Sequence, residues 1–511
     1  MGADILALLS GAVLGLSAPG FDQWYLAWCG LVPFFVLVDS SRSLWRAGSR
    51  GWLFGFGYHL LWLSFFLKLN PPLWVGIQSP ALLAVISVLC WLVAALIYGS
   101  VYALAACAIK LASLKGWMTP IAGEKHGGVP ALLAVPLIWL CAFGVCGNLP
   151  DLLLMPMAFL EYSQYRMTWL IQACSIIGGF GLQLVMVAHN VALSAVAAKA
   201  ARLGEVRSLW SGSARSDTAR WISVLVVAAG LAAYGGYSLE TSRVQPDTTV
   251  SVIQSGLMLK TEERGRGLDA AEALAVGMPL LQRCPPGLAV WTETSLIAFF
   301  DPDSRLLEPL REVAAARRID IVFGIEEKAR SPGRKYNAAA GVTDRGEFAR
   351  EIYKKRYLIP FGEFEPFLLR CLPLAIKEKL RLPQSPPYLA GAEATVLALA
   401  GGRVAPLICG ENVDAGVCAR SVRNGGQVFA NISNLTWFQD SILGDLTLAT
   451  AVLRAVENRR YYIYAADTGP SFVVDPFGRV VAELGWGKVG VLSGKFRYLS
   501  DLSPFSRLWI R

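Results

Sequence analysis

The sequence predicts a polytopic α-helical membrane domain over residues 1–240 followed by an α/β layered domain over 245–511. Three observations predict this. Long apolar runs fill the first half and stop near residue 240. Basic residues gather in alternate loops between those runs. Beyond 245, short β-branched runs alternate with helical patterns. Over all 511 residues, 54% are hydrophobic and 17% charged, against roughly 25% charged in soluble domains.

Seven runs approach the ~20 helical residues that cross a ~30 Å hydrocarbon layer: near 4–20, 23–39, 51–69, 81–109, 130–147, 170–197 and 221–239. The first two are short, with Pro19-Gly20 as a tight turn between them. A cleaved signal peptide is the alternative for the first, but a basic start and a small-residue cleavage site are missing. Arg42, Arg46, Arg50, Lys110, Lys115, Lys125, Lys199, Arg202, Arg207, Arg215 and Arg220 fall in the even-numbered loops. The other loops hold Arg166 and Lys68. That excess places the even loops and the amino terminus in the cytoplasm, and the second half outside it. The net charge of +9 then reflects this excess and contact with anionic headgroups. A nucleic-acid partner is not called for.

In the second half the expected strands are 249–254, 288–291, 320–325, 337–342, 351–355, 404–409, 428–433, 462–466, 472–475 and 479–483. Expected helices are 265–283, 303–318, 411–424 and 441–459; in the last, Leu446, Ala449, Val452 and Val456 recur at helical spacing. Asp475-Pro-Phe-Gly478 reads as a turn between two strands. Interleaved strands and helices imply stacked layers.

The second half contains no histidine; His59, His126 and His189 all lie in the first. A cysteine nucleophile there lacks an imidazole base. Glu293 and Lys355 can replace it: a shielded carboxylate takes and returns a proton, and an ammonium steadies an oxyanion. Cys409, between an expected strand and an expected helix, would gain from the helix dipole and unpaired amides. The plainer alternatives are that Glu293 caps a turn and that Lys355 belongs to a solvated basic face. Four of the ten cysteines lie in this half: Cys284, Cys371, Cys409 and Cys418. Their spacing, without histidine, offers no zinc site, and no metal or cofactor is expected. A Cys284–Cys371 disulfide is allowed in an oxidising compartment, and a Cys409–Cys418 bridge would make Cys409 structural.

These residues resemble the carbon–nitrogen hydrolase, or nitrilase, superfamily, and within it the membrane branch of apolipoprotein N-acyltransferases. Trp291-Thr-Glu293 is similar to the family's Trp-Pro-Glu segment. Tyr353-Lys-Lys-Arg-Tyr-Leu-Ile-Pro-Phe-Gly-Glu363 is similar to its lysine segment, and Ile408-Cys-Gly-Glu411 to its nucleophile segment. Asn431-Ile-Ser-Asn-Leu-Thr-Trp-Phe438 resembles the segment that follows. The resemblance implies a nitrilase-like αββα sandwich. It also implies a bacterial inner-membrane enzyme whose catalytic domain is periplasmic. Cys409 would take an acyl chain from a membrane phospholipid as a thioester and pass it to the amine of a diacylglyceryl-cysteine lipoprotein. Glu293 would be the acid and base; Lys355 and the Gly410 N–H would hold the oxyanion. Glu363 would orient the lysine or amine, Glu411 would position the site, and Tyr357 and Trp437 would support it. A lid over 363–390 would reach the bilayer; the alternative is a packed helix.

The sequence departs from the family pattern at Gly410, usually tyrosine, at Thr292, usually proline, and at Ala466-Asp-Thr-Gly469. A tryptophan usual after the first strand is missing between Gln254 and Leu268. The family's eighth span would begin about where the sequence reaches Arg511. Two other readings remain: a membrane-anchored amidase using water as acceptor, and a weakened lipoprotein-binding paralogue. Transport is disfavoured because His59 and His189 are the few ionisable candidates within the runs.

Overall fold

The computed structural model describes residues 2–70, 79–121, 128–146, 149–203, 215–241, 244–373, 377 and 388–508. His126 and the middle of the expected lid (374–376 and 378–387) lie outside the described residues. Two compact units form: Met1–Leu67 with Ala84–Ser238, and Lys68–Leu83 with Leu239–Arg511.

In the first unit each apolar run contains helix. The longer helices are Gly2–Gly15, Val32–Asp39, Leu44–Trp62, Pro80–Leu114, Ala131–Cys146, Cys174–Leu203 and Arg215–Thr241. Among the described residues, three stretches, Pro80–Leu114, Cys174–Ala198 and Val224–Thr241, are long and apolar enough to cross a membrane. The second run is not one helix: a 3-10 turn, Trp24–Trp28, precedes Val32–Asp39. The break leaves polar backbone groups inside an apolar unit, where they are costly unless paired. Buried Asn190 pairs them, accepting from the Leu31 N–H (3.0 Å) and donating to the Ala27 carbonyl (3.0 Å). Gly2–Gly15 crosses Leu44–Trp62 in backbone contact. A Cβ at Gly11 would run into the Phe54 carbonyl, and one at Gly57 into that of Leu8. Small residues let helices approach this closely where apolar burial gives little drive. His59, buried beside Tyr58 and Tyr98, is 2.7 Å from the Gly55 carbonyl through Nδ1 and packs as a core residue.

The second unit is built on two six-stranded sheets. The first runs β12-β1-β2-β3-β4-β5 and the second β11-β10-β9-β8-β7-β6. Strands of the first sheet are β1 (Thr248–Gln254), β2 (Gly287–Val290), β3 (Ile319–Lys328), β4 (Lys335–Val342), β5 (Tyr353–Lys354) and β12 (Gly490–Phe496). Strands of the second are β6 (Leu397–Ala398), β7 (Arg403–Ile408), β8 (Val428–Ser433), β9 (Tyr462–Ala466), β10 (Ser471–Val474) and β11 (Val480–Leu484). The centre of each sheet is parallel: β1-β2-β3 in one and β7-β8-β9 in the other.

Alternation along the strands makes two cores, because successive side chains leave opposite faces. Val250, Val252, Val290 and Val322 pack with Val404, Ile408, Ile432 and Ile463 in one cluster. Ile253, Ile321, Phe323 and Ile325 pack with Leu274, Leu281, Leu310 and Val313 of the helices Ala270–Leu281 and Glu308–Arg317 in another. The expected αββα layering is the architecture found.

Candidate active site

Glu293 follows the end of β2, Lys355 the end of β5, and Cys409 the end of β7. The Glu293 peptide lies against β3 where Gly324 has no side chain; a Cβ there would sit 2.7 Å from the Thr292 carbonyl and 2.5 Å from the Thr294 nitrogen. Cys409 has a φ of 53°, a left-handed conformation that strains a residue with a Cβ. The expected helix from 411 to 424 begins instead at Ala415, because Asp414 accepts from the Gly416 (2.7 Å) and Val417 (3.1 Å) amides and caps it there. One 3-10 turn, Cys409–Val413, separates the nucleophile candidate from that helix. The long-helix dipole expected at Cys409 is therefore displaced by a turn.

Lys355 is 1% exposed and its ammonium stands between two carboxylates. It donates to Glu293 Oε1 (3.2 Å) and Glu363 Oε1 (2.9 Å). Asn337 on β4 reinforces both, its Nδ2 donating to the same two oxygens at 2.8 and 2.9 Å. The Ile359 amide holds the other oxygen of Glu363 at 2.9 Å. Burial raises the Glu293 carboxyl above its usual range; the Lys355 charge opposes that, Glu363 adds to it, and the Asn337 bond opposes it. Burial works against the Lys355 charge as well, but Glu293, Glu363 and Cys409 outweigh it and hold the ammonium well above its ordinary value. Burial pushes the Cys409 thiol up to about 12. Glu293 adds to the rise, Lys355 opposes it, Glu363 adds again and Ser433 opposes it. The resting cysteine is a thiol within the field of an ammonium and two carboxylates.

Glu411, fully buried, ties the nucleophile segment to the lysine segment. It accepts from the Ile408 amide (2.8 Å) and Tyr353 hydroxyl (2.7 Å) on one oxygen, and from the Arg356 (2.7 Å) and Tyr357 (3.1 Å) amides on the other. Tyr357 thus enters through its backbone. Trp437 is half-buried on the 3-10 turn Thr436–Phe438, where its carbonyl accepts from the Asn70 amide (2.6 Å). The structure gathers Glu293, Lys355, Glu363 and Cys409, and braces them with Glu411; Trp437 comes from a separate segment.

Sequence reading missed Asn337, Tyr353 and Ser433. Asn337, 3% exposed, had a visible signal: an amide opening the otherwise apolar run Ala338–Val342 of β4. A buried amide needs partners, and here they are the two carboxylates. Every described cysteine is free, so neither the Cys284–Cys371 nor the Cys409–Cys418 bridge forms. Cys284 and Cys418 are instead buried, while Cys371 is exposed.

Residues 10–192 match the apolipoprotein N-acyltransferase N-terminal domain, and residues 270–497 match the carbon–nitrogen hydrolase family. The chain belongs to the apolipoprotein N-acyltransferase family. It is 26% identical to apolipoprotein N-acyltransferase of Geobacter metallireducens over 98% of this chain and 91% of that protein. It is 28% identical to that of Agrobacterium fabrum over 96% of this chain and 89% of that protein. Among solved structures, Saccharomyces cerevisiae Nit3, of branch 10 of the nitrilase superfamily, covers 50% of this chain and 92% of its own. It does so at 18% identity and a TM-score of 0.38. The N-acyltransferase match joins a helical first half carrying three membrane-length helices to a nitrilase-like α/β half.

Proposed function

We propose that this protein moves an acyl chain from a membrane phospholipid to the N-terminal amine of a diacylglyceryl-cysteine lipoprotein, through a thioester on Cys409. One observation carries the reading: the buried Lys355 ammonium is hydrogen-bonded between Glu293 and Glu363, beside a thiol in a half of the chain without histidine. Membership of the N-acyltransferase family supplies the substrate class.

With the thiol pushed to about 12, attack must be coupled to proton loss. Glu293 takes the proton as Cys409 Sγ attacks the ester carbonyl carbon. The Lys355 ammonium and the Gly410 N–H hold the oxyanion, in a site where water is scarce and such charges act strongly. The C–O bond breaks, the proton passes from Glu293 to the leaving alkoxide, and a lysophospholipid departs. In the second half-reaction the neutral α-amine attacks the thioester carbonyl while Glu293 takes its proton. The C–S bond breaks, the proton returns to sulfur, and the amide is released. Glu363 keeps the lysine aimed at the oxyanion through both steps. The catalytic half lies on the periplasmic side of a bacterial inner membrane in this reading.

The test is intact-mass analysis of purified protein mixed with phospholipid. Wild type is expected to gain one acyl chain, and Cys409→Ala none. An unmodified wild type, or an equal adduct on the variant, rejects the reading. A diacylglyceryl-cysteine peptide should then remove the adduct faster than water alone does; equal rates favour amidase-type chemistry.

A further inference from the structure

The end of β9 holds a buried carboxylate that the steps above do not use. Asp467 is 2% exposed. Its Oδ1 accepts from the Leu257 amide and the Ser255 hydroxyl, each at 2.9 Å, and its Oδ2 from the Met258 amide at 2.8 Å. Its backbone is engaged too: the carbonyl accepts from the Gly256 amide (2.9 Å), and the amide donates to the Ser433 carbonyl (3.2 Å). Ser433 ends β8 beside the Cys409 thiol. Ser255 in turn accepts from Trp291 Nε1 at 3.0 Å. An indole nitrogen can only donate, so the Ser255 hydroxyl must give its own hydrogen to Asp467. The direction of the chain Trp291, Ser255, Asp467 is therefore fixed at each link.

Trp291 lies two residues before Glu293 in the sequence, is fully buried, and is clamped from the far side by Gly277, where any Cβ would collide with the ring. The chain therefore begins beside the acid of the first sheet and ends on a residue bonded to the strand end beside the nucleophile of the second.

We infer that Asp467 is a positioning residue, which sets Glu293 against Cys409 by way of Ser255 and Trp291. This rests on the acyl-transfer reading above. A carboxylate that only capped the Leu257–Arg264 helix would need its two backbone bonds. It would not need a directed side-chain link to the tryptophan next to the catalytic glutamate segment. A base misplaced by a fraction of an ångström loses rate without losing substrate affinity.

The experiment measures Cys409 acylation by a fluorescent-acyl phospholipid in detergent micelles, for the full chain and for Ser255→Ala, Trp291→Phe and the double variant. Each single variant is expected to lower kcat about tenfold with KM unchanged, and the double variant to lower it no further. Residues acting as one unit are non-additive in this way. Losses that multiply to about a hundredfold, single variants within twofold of wild type, or a change in KM alone overturn the inference. If Trp291→Phe does not accumulate, Ser255→Ala decides by the same twofold limit. A wild type that forms no thioester defeats the acyl-transfer reading itself, a result distinct from any of these.

Discussion

The fold controls the charge state of Glu411. Burial raises its carboxyl to about 6 from an ordinary value of 4.5, against the pull of its bonds from the Arg356 amide, Tyr353 hydroxyl and Ile408 amide. A carboxyl whose folded pKa is raised contributes stability that is complete below the unfolded value and is lost as pH rises through the folded one. The window here is pH 4.5 to 6, and the loss is about 2 kcal/mol at one unit per 1.36 kcal/mol. Glu411→Gln has no such titration, so its stability should be flatter across that window in denaturant melts in detergent. At pH 7 the variant should be less stable by about 1–3 kcal/mol, because an amide NH2 then faces two donors. Glu293, Lys355 and Cys409 stood out in the sequence because no imidazole is present in that half, and their gathering in space is what the structure adds. Asn337 was not singled out, since one amide beside an alanine run says nothing of which strand end it will face.

At the scale of elements, the Gly2–Gly15 and Leu44–Trp62 crossing is set by what is missing from it. Gly11→Val would drive a side chain into the Phe54 carbonyl and force the helices apart. Overpacking of this kind costs about 1–3 kcal/mol or more. The expected result is a thermal midpoint several degrees lower in detergent, while Gly2→Val, with open space around it, leaves the midpoint unchanged. Period-two alternation made most strands of the sandwich readable, and β8 and β9 fell on the expected residues. β12 was missed because Gly490, Gly494 and Lys495 dilute its pattern. The expected helix 265–283 starts late for a local reason. Gly265, at φ 65°, ends Leu257–Arg264, and the Asp269–Glu272 capping box starts the next helix at Ala270. β6, two residues long, carries too little pattern to be read from sequence.

For the whole molecule, composition fixed the two-part plan, and the distribution of arginine and lysine fixed the expected sidedness. Cys371 is exposed in the nitrilase-like half, and this gives a direct check. With the other exposed cysteines, Cys29 and Cys141, replaced by serine, a membrane-impermeant maleimide added to spheroplasts should label the protein that keeps Cys371 more strongly than its Cys371→Ser variant. Labelling that appears only after lysis would put the catalytic half in the cytoplasm and reverse the expected topology. Apolar length alone left the number of spans open, because the short runs hold helices that are broken or brief. The Trp24–Trp28 turn and its Asn190 partner are tertiary facts, invisible to any hydropathy window.

Burial favours the protonated form of the Cys409 sulfur. Burial and the neighbouring carboxylates push the Cys409 thiol up to about 12, so the thiol form dominates at pH 7. Peroxides and alkylating agents react with the thiolate form. Iodoacetamide should therefore consume exposed Cys371 long before it touches Cys409. Under the acyl-transfer proposal, reactivity would be kept for the moment when an ester carbonyl and the Glu293 carboxylate meet the sulfur together.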